Sequence, residues 1–237
     1  MEKLKTTQPV LIEQATTIST ELNRSAIVLS EMWQEAIEEA SRIYFGRNDG
    51  KAMFSYLSPF HKEMEREPET MNEISFYQGY ASDLLEAYSW MKLFMRSERT
   101  PDINQAWDIY YAIFRRISTK QKEVTFYELR NVAPKLMRAV DLEIAVPGTF
   151  KSNKPIVKIS KFASVLPVLP SKQHPRKMSV YGSDGREYLL LLKGHEDIRQ
   201  DERVMQLFGL VNTLLHIDQQ TSKKDLSIRR YPVIPLS

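Results

Sequence analysis

Cysteine is absent from the 237 residues, which excludes a disulfide framework and any thiolate-held metal centre. Histidine is scarce, and His61, His174, His195 and His216 are too widely spaced to suggest a structural zinc site. No apolar run approaches the roughly 18 residues that a membrane-spanning helix needs. The N-terminal M-E-K-L-K-T-T-Q-P lacks the apolar core of a secretory signal. With only eight glycines and no G-x-G-x-x-G, a glycine-rich phosphate loop of that spacing is excluded too. The net charge of +3 is too small to argue for nucleic acid as a partner.

What remains is the balance of a water-soluble globular protein, 42% hydrophobic and 27% charged, with enough chain for one large domain or two small ones. The charge is uneven. Between Phe150 and Gln200, ten basic residues face four acidic ones, an excess that favours an anionic ligand or else a solvated basic face.

From Leu22 to Ile117 the pattern is helical. Leu22, Ala26, Leu29, Trp33, Ala36, Ala40 and Ile43 alternate steps of four and three and predict one unbroken core stripe. G-R-N-D-G (46–50) stops that helix. A shorter helix is carried by Met53, Leu57, Phe60 and Met64, and a third by Ile74, Tyr77, Ala81, Leu84, Tyr88, Met91 and Met95. T-P-D at 100–102 starts a fourth, which places Ile103, Ala106, Tyr110, Ile113 and Ile117 inward. The pattern predicts an up-and-down four-helix bundle.

Two of these helices carry more apolar surface than a bundle core requires. Beside the first core stripe run Ile37, Ser41, Tyr44 and Phe45. The fourth helix adds Asn104, Trp107, Asp108, Tyr111 and Phe114. If the two stripes face each other they wall an aromatic cleft, the kind of patch that marks a binding site or is covered by another domain.

Glu38–Gly46 (E-E-A-S-R-I-Y-F-G) and Gln105–Arg116 (Q-A-W-D-I-Y-Y-A-I-F-R-R) closely resemble the FKBP–rapamycin-binding domain of target-of-rapamycin kinases. The resemblance implies a cleft that accepts rapamycin presented by an FKBP-type prolyl isomerase. It also implies a gate and docking surface for protein substrates, contact with subunits of target-of-rapamycin complexes, and binding of phosphatidic acid. The matching positions are Ile37, Ser41, Tyr44, Phe45, Trp107, Asp108, Tyr111 and Phe114. Asn104 stands where the family pattern has threonine, and it is larger and more polar. Ser41 must stay small, because a bulky residue there would fill the cleft. The resemblance further implies a cytoplasmic protein, peripheral on endomembranes.

Past the bundle, T-F-Y-E-L-R-N-V-A-P-K-L reads as a short helix interrupted before Pro134, and D-L-E-I-A-V-P-G-T-F alternates like a strand. P-I-V-K-I-S (155–160) predicts another strand, whereas the proline-rich stretch that follows cannot be a central strand throughout. Arg176–Tyr181, G-S-D-G and Arg186–Lys193 together give a hairpin signal. Along its second arm Leu189, Leu191 and Lys193 share one face. A helix from about Asp201 is expected to pack through Val204, Phe208, Val211 and Leu215, and the terminal Y-P-V-I-P-L-S reads as a strand.

An apolar strand that ends in Lys193 and runs into Glu196, Asp197 and Asp201 fits a lysine gripping nucleotide phosphates beside its carboxylate partner. It also fits an amphipathic lysine capping an ordinary core strand. A-V-P-G-T-F, S-K-Q-H-P-R-K and K-G-H-E-D-I-R-Q-D-E-R-V-M-Q-L-F resemble the small lobe of the same kinases, with Pro170 and His174 as mild departures. By that resemblance Leu169, Leu191 and Tyr231 border the adenine pocket and Ser171 approaches the phosphates. Lys193 binds phosphate, with Glu196 or Asp201 as its partner. The implied cofactor of the complete kinase is ATP with Mg2+.

No catalytic loop and no D-F-G occur among these residues, so neither a catalytic residue nor a metal ligand is assigned here, and no cofactor is expected to bind this chain tightly. The expected fold is α+β: residues 1–20 end a preceding helical region, 21–118 form the bundle, 119–150 a connector, and 151–237 a kinase small lobe of antiparallel sheet plus helix, cut off before hinge and large lobe. The expected function is a portion of a serine/threonine protein kinase in growth signalling, inactive by itself. The alternative is a kinase-inactive binding module working through the aromatic cleft, with a lipid kinase as the third reading.

Overall fold

The structure, a computed structural model, describes residues 6–236. It divides into two compact units, one of residues 27–134 and one made of the flanking chain on both sides.

The first unit is the four-helix bundle, α2 (Leu29–Arg47), α3 (Gly50–Glu63), α4 (Met71–Ser97) and α5 (Thr100–Gln121). Its ends follow from local chemistry. Val28 is extended and its N–H donates to Glu31 Oε2 at 3.1 Å, which starts α2. Asn48 ends α2 in the left-handed region, and Asp49 accepts from the Ala52 N–H at 2.8 Å to start α3. Thr70 and Glu73 form a reciprocal capping box at the start of α4. Pro101 lies in the first turn of α5.

α2 packs on α3 and α5, and α4 packs on α3 and α5. Trp33, Ala36, Ala40, Met53, Leu57, Leu84, Met91 and the full predicted stripe of α5 fill the core. Each fully buried large side chain contributes about 1.5–3 kcal/mol through lost water contact. Beyond the bundle come β1 (Phe126–Glu128), α6 (Leu129–Val132), which packs on α4, and α7 (Pro134–Arg138) at the boundary of the unit.

Several sequence expectations move. The stripe from Leu22 to Ile43 is not one helix: α1 (Pro9–Ala26) ends before Val28, and its residues belong to the second unit. The 4-and-3 periodicity runs straight across the break, so the pattern conceals it. On α4 the buried stripe is Phe76, Tyr80, Leu84, Ala87 and Met91, leaving Ile74, Tyr77, Ala81, Tyr88 and Met95 half-buried. Phe126–Glu128 is a strand rather than the start of a helix.

The second unit contains α1 and a three-stranded antiparallel sheet in the order β2–β4–β5, from β2 (Ile159–Phe162), β4 (Arg176–Gly182) and β5 (Glu187–Leu192). β3 (Val165–Pro167) leads to a bridge between Val168 and Arg176. α8 (Ile198–Ile217) and α9 (Gln219–Ser222) complete it. Arg176, Met178 and Val180 line the buried face of β4, opposite Leu192, Leu190 and Tyr188 of β5. Glu21 on α1 is fully buried and accepts from the Lys135 N–H at 3.0 Å, and Gln14 Oε1 accepts from the Glu143 N–H at 2.8 Å. These bonds dock α1 on the chain that returns after the bundle.

The stretch 141–150 is not a regular strand. Among the described residues its one bridge is Ala145 with Lys158, while Val140 just before it bridges Lys161, and the positive φ of Asp141 between them breaks the extended run. β2 begins at Ile159, later than the predicted 155–160. α8 buries Met205 instead of the predicted Val204, which is exposed. The terminal segment forms no strand through residue 236: Pro232 and Pro235 lack the N–H groups a ladder requires. Ser237, the last residue of that predicted strand, lies outside the described residues.

Candidate functional site

The two apolar stripes of the bundle do face each other. Phe45 of α2 meets Trp107 of α5 edge to face, with ring centroids 5.1 Å apart, and Tyr44 packs on Phe45 at 4.9 Å. Such aromatic contacts add about 0.5–1.5 kcal/mol beyond the area they bury. The Tyr44 hydroxyl donates to Asn104 Oδ1 at 3.2 Å. The rings are nevertheless left in water: Phe45 is 63% exposed and Tyr111 50%. Ser41, Trp107 and Phe114 are half-buried, and Asn104 and Asp108 are exposed.

Ile37 departs from the expectation. It is 1% exposed and belongs to the bundle core, so it supports the floor of the aromatic face rather than forming its surface. The cause is its position one residue past Ala36 on a helix packed against the three other helices of the bundle. Beneath the face, Tyr44, Trp107 and Phe114 rest against the same core. The patch is therefore a rigid one, built on two helices.

The second candidate lies at the end of β5. Lys193 Nζ is 3.0 Å from Glu196 Oε2 and 3.1 Å from Asp201 Oδ2, so the ammonium sits between two carboxylates instead of choosing one. Its pKa is raised, chiefly by the hydrogen bond to Glu196 and then by that to Asp201. Glu196 comes from the turn after the strand and Asp201 from the first turn of α8. Asp197 caps that helix by accepting from the Arg199 N–H at 3.2 Å.

The outer face of the hairpin is apolar and open. Leu189 is 59% and Leu191 49% exposed, in contrast to Leu192 beside them. Lys177, the last residue of S-K-Q-H-P-R-K, lies directly across from Leu191 in the β4–β5 register, because pairing across G-S-D-G fixes which residues oppose.

Leu169 and Ser171 occupy the turn before β4. The Leu169 N–H donates to Pro175 O, and the Ser171 N–H to Leu169 O, both at 2.9 Å. His174 holds a positive φ that closes the turn. Leu169 keeps to the neighbouring edge of β4, whereas Tyr231 lies in the irregular segment after α9 and is exposed. Among the described residues no cluster of histidine and carboxylates could hold a metal ion. No helix among them is long and apolar enough to cross a membrane.

Comparison with known proteins returns two families. Residues 21–119 match the FKBP12-rapamycin binding domain, and residues 187–237 match the phosphatidylinositol 3- and 4-kinase family. Across its whole length the chain is 50% identical to the serine/threonine-protein kinase TOR2 of Saccharomyces cerevisiae. It is 49% identical to the serine/threonine-protein kinases mTor of Drosophila melanogaster and TOR of Oryza sativa. The chain spans about a tenth of the length of each of these relatives.

Proposed function

Because the chain belongs to the target-of-rapamycin family of serine/threonine protein kinases, we propose that its bundle is a docking surface and its second unit one wall of an ATP site. The docking partner is an FKBP-type prolyl isomerase carrying rapamycin and, in the working kinase, protein substrates and complex subunits. Phosphatidic acid is a further ligand of the same aromatic face, through its acyl chains. The protein works in the cytoplasm and peripherally on endomembranes.

The observation that carries the nucleotide half is Lys193 between Glu196 and Asp201, at the end of a strand whose outer face exposes leucine. These residues fit Mg–ATP on one side. Bound there, the nucleotide supplies the phosphoryl group, and its metal ion neutralises phosphate charge. Leu191 offers an apolar platform to the planar base, and Leu169 and Tyr231 are assigned to the same base pocket by the family resemblance. Ser171, in the turn before β4, approaches the phosphates. Lys193 extends its charge to them, and the two carboxylates keep its ammonium aimed and protonated.

The same 237 residues hold no catalytic loop and no D-F-G, so this stretch alone binds no nucleotide tightly and transfers no phosphoryl group. Kinase assays on the full-length gene product test the assignment. Lys193→Ala is expected to abolish phosphoryl transfer to protein. Activity within about twofold of wild type would overturn it.

A further inference from the structure

Eleven residues beyond Asp201 on α8, the side chain of Asn212 makes two hydrogen bonds to a single distant residue. Its Nδ2 donates to Ile228 O at 2.8 Å, and its Oδ1 accepts from the Ile228 N–H at 2.7 Å. A carboxamide that serves both backbone groups of one residue imitates a β-strand partner. It does so where the chain has none, since residues 226–236 join no sheet. One turn earlier, the α8 backbone is bare at Gly209, and a Cβ built there would stand 2.6 Å from Nη1 of Arg230. Ile228 and Arg230 are thus seated on one face of the helix, three residues apart on α8 and two apart on the segment. Tyr231 follows immediately.

We propose that Asn212 is a positioning residue for nucleotide binding, fixing the segment that carries Tyr231 at a set distance from Lys193. The inference rests on the nucleotide reading given above. α8 is the link. Its first turn holds Lys193 through Asp201, and Asn212 lies about three turns further along the same rod, roughly 16 Å away at 1.5 Å per residue. Lys193 addresses phosphate and Tyr231 borders the base. Both ends of one nucleotide are therefore referred to a single rigid element. Asparagine suits the position because aspartate lacks the donor and would turn a carboxylate toward the Ile228 carbonyl, while alanine lacks both groups. Asn212 touches no nucleotide itself. It acts through Ile228.

The test uses the full-length gene product as wild type, Asn212→Asp, Asn212→Ala, Lys193→Ala and Thr213→Ala. Thr213 lies beside Asn212 on the exposed side of α8, and its hydroxyl donates within the helix, to Gly209 O, so its variant controls for any change in α8. Alanine is the best helix former, so the Asn212→Ala helix remains intact even if the aspartate variant folds poorly. Hydrogen exchange at the Ile228 amide and steady-state kinetics are measured together.

In both Asn212 variants the Ile228 amide is expected to exchange faster. KM for ATP is expected to rise about tenfold, the loss of one to two net hydrogen bonds, with KM for the protein substrate unchanged and Thr213→Ala like wild type. Unchanged exchange at Ile228, or faster exchange with an unaltered KM for ATP, would overturn the proposal while leaving the role of Lys193 intact. If Lys193→Ala also retains normal activity and ATP affinity, the nucleotide reading itself fails and the positioning role falls with it.

Discussion

The Tyr44 hydroxyl lies 3.2 Å from Oδ1 of Asn104 and donates to it, so a hydrogen bond ties α2 to α5 across the aromatic face. Asn104 thereby does more than occupy space. It holds the Tyr44 ring in place beside Phe45, 4.9 Å away. Replacing it with threonine shortens the side chain, loosens Tyr44 and opens room between the helices. Asn104→Thr is expected to strengthen binding of the isomerase–rapamycin complex several-fold. It should lower chain stability by no more than about 1 kcal/mol, the net worth of an exposed hydrogen bond. Calorimetric titration and urea melts check the two statements.

His61 makes the bundle sensitive to acid. It is buried, stacks on Tyr88 at 4.1 Å and bonds through Nε2 to the Tyr110 hydroxyl at 2.7 Å. Its Nδ1 has no hydrogen-bond partner among the described residues, so a second ring proton would find no acceptor. Burial, aided by the charge of Lys92, lowers its pKa to about 3. The unfolded histidine takes a proton near pH 6.5 and the folded one does not, so stability is full above that pH and lost as pH falls toward 3. Between pH 6.5 and 5, before carboxylates titrate, the loss through this one residue is about 2 kcal/mol. Urea melts followed by tryptophan fluorescence report on the bundle, since Trp33, Trp90 and Trp107 all lie in it. His61→Gln should flatten the slope in that window.

Gly50, the first residue of α3, sits against the core. A Cβ there would lie 2.5 Å from Ile103 Cδ1 and 2.7 Å from a Phe94 ring carbon. Neither neighbour is free to swing away, because Ile103 is fully buried and Phe94 packs on the core. Gly50→Ala is expected to destabilise the bundle by about 1–3 kcal/mol, the usual cost of overpacking. This outweighs the gain of up to about 1 kcal/mol in helix propensity. Equilibrium unfolding measures the sum.

The sequence was most legible where one pattern stood alone. On α5 the predicted inward set is the buried apolar set, because a charged or polar residue separates nearly every member and Pro101 fixes the start. α4 is apolar on more than one side, and periodicity could not choose between Phe76 with Tyr80 and Tyr77 with Ala81. The facing of Tyr44 and Phe45 toward Asn104 and Trp107 needed only helix geometry and a neighbouring pair. The two-residue period likewise placed Leu189 and Leu191 on one face, but that this face is the exposed one came only with the structure. The break before Leu29 was hidden because the periodic stripe crosses it, although Glu31 three residues after Val28 is a local start signal. Asn212 left no trace at all. A polar residue on a helix looks solvated until the distant backbone it serves is in view.

The claim on which most depends is that the face of Ser41, Tyr44, Phe45, Trp107, Tyr111 and Phe114 docks a partner, and one titration tests it directly. The isomerase–rapamycin complex is titrated against the 237-residue chain and against Trp107→Ala. Removing the indole deletes the Phe45 edge-to-face contact and an aromatic anchor of the kind that dominates such interfaces, so affinity is expected to fall at least about thirtyfold, the 2 kcal/mol of a hot-spot residue. Unchanged affinity in a folded Trp107→Ala chain would contradict the docking role of the aromatic face.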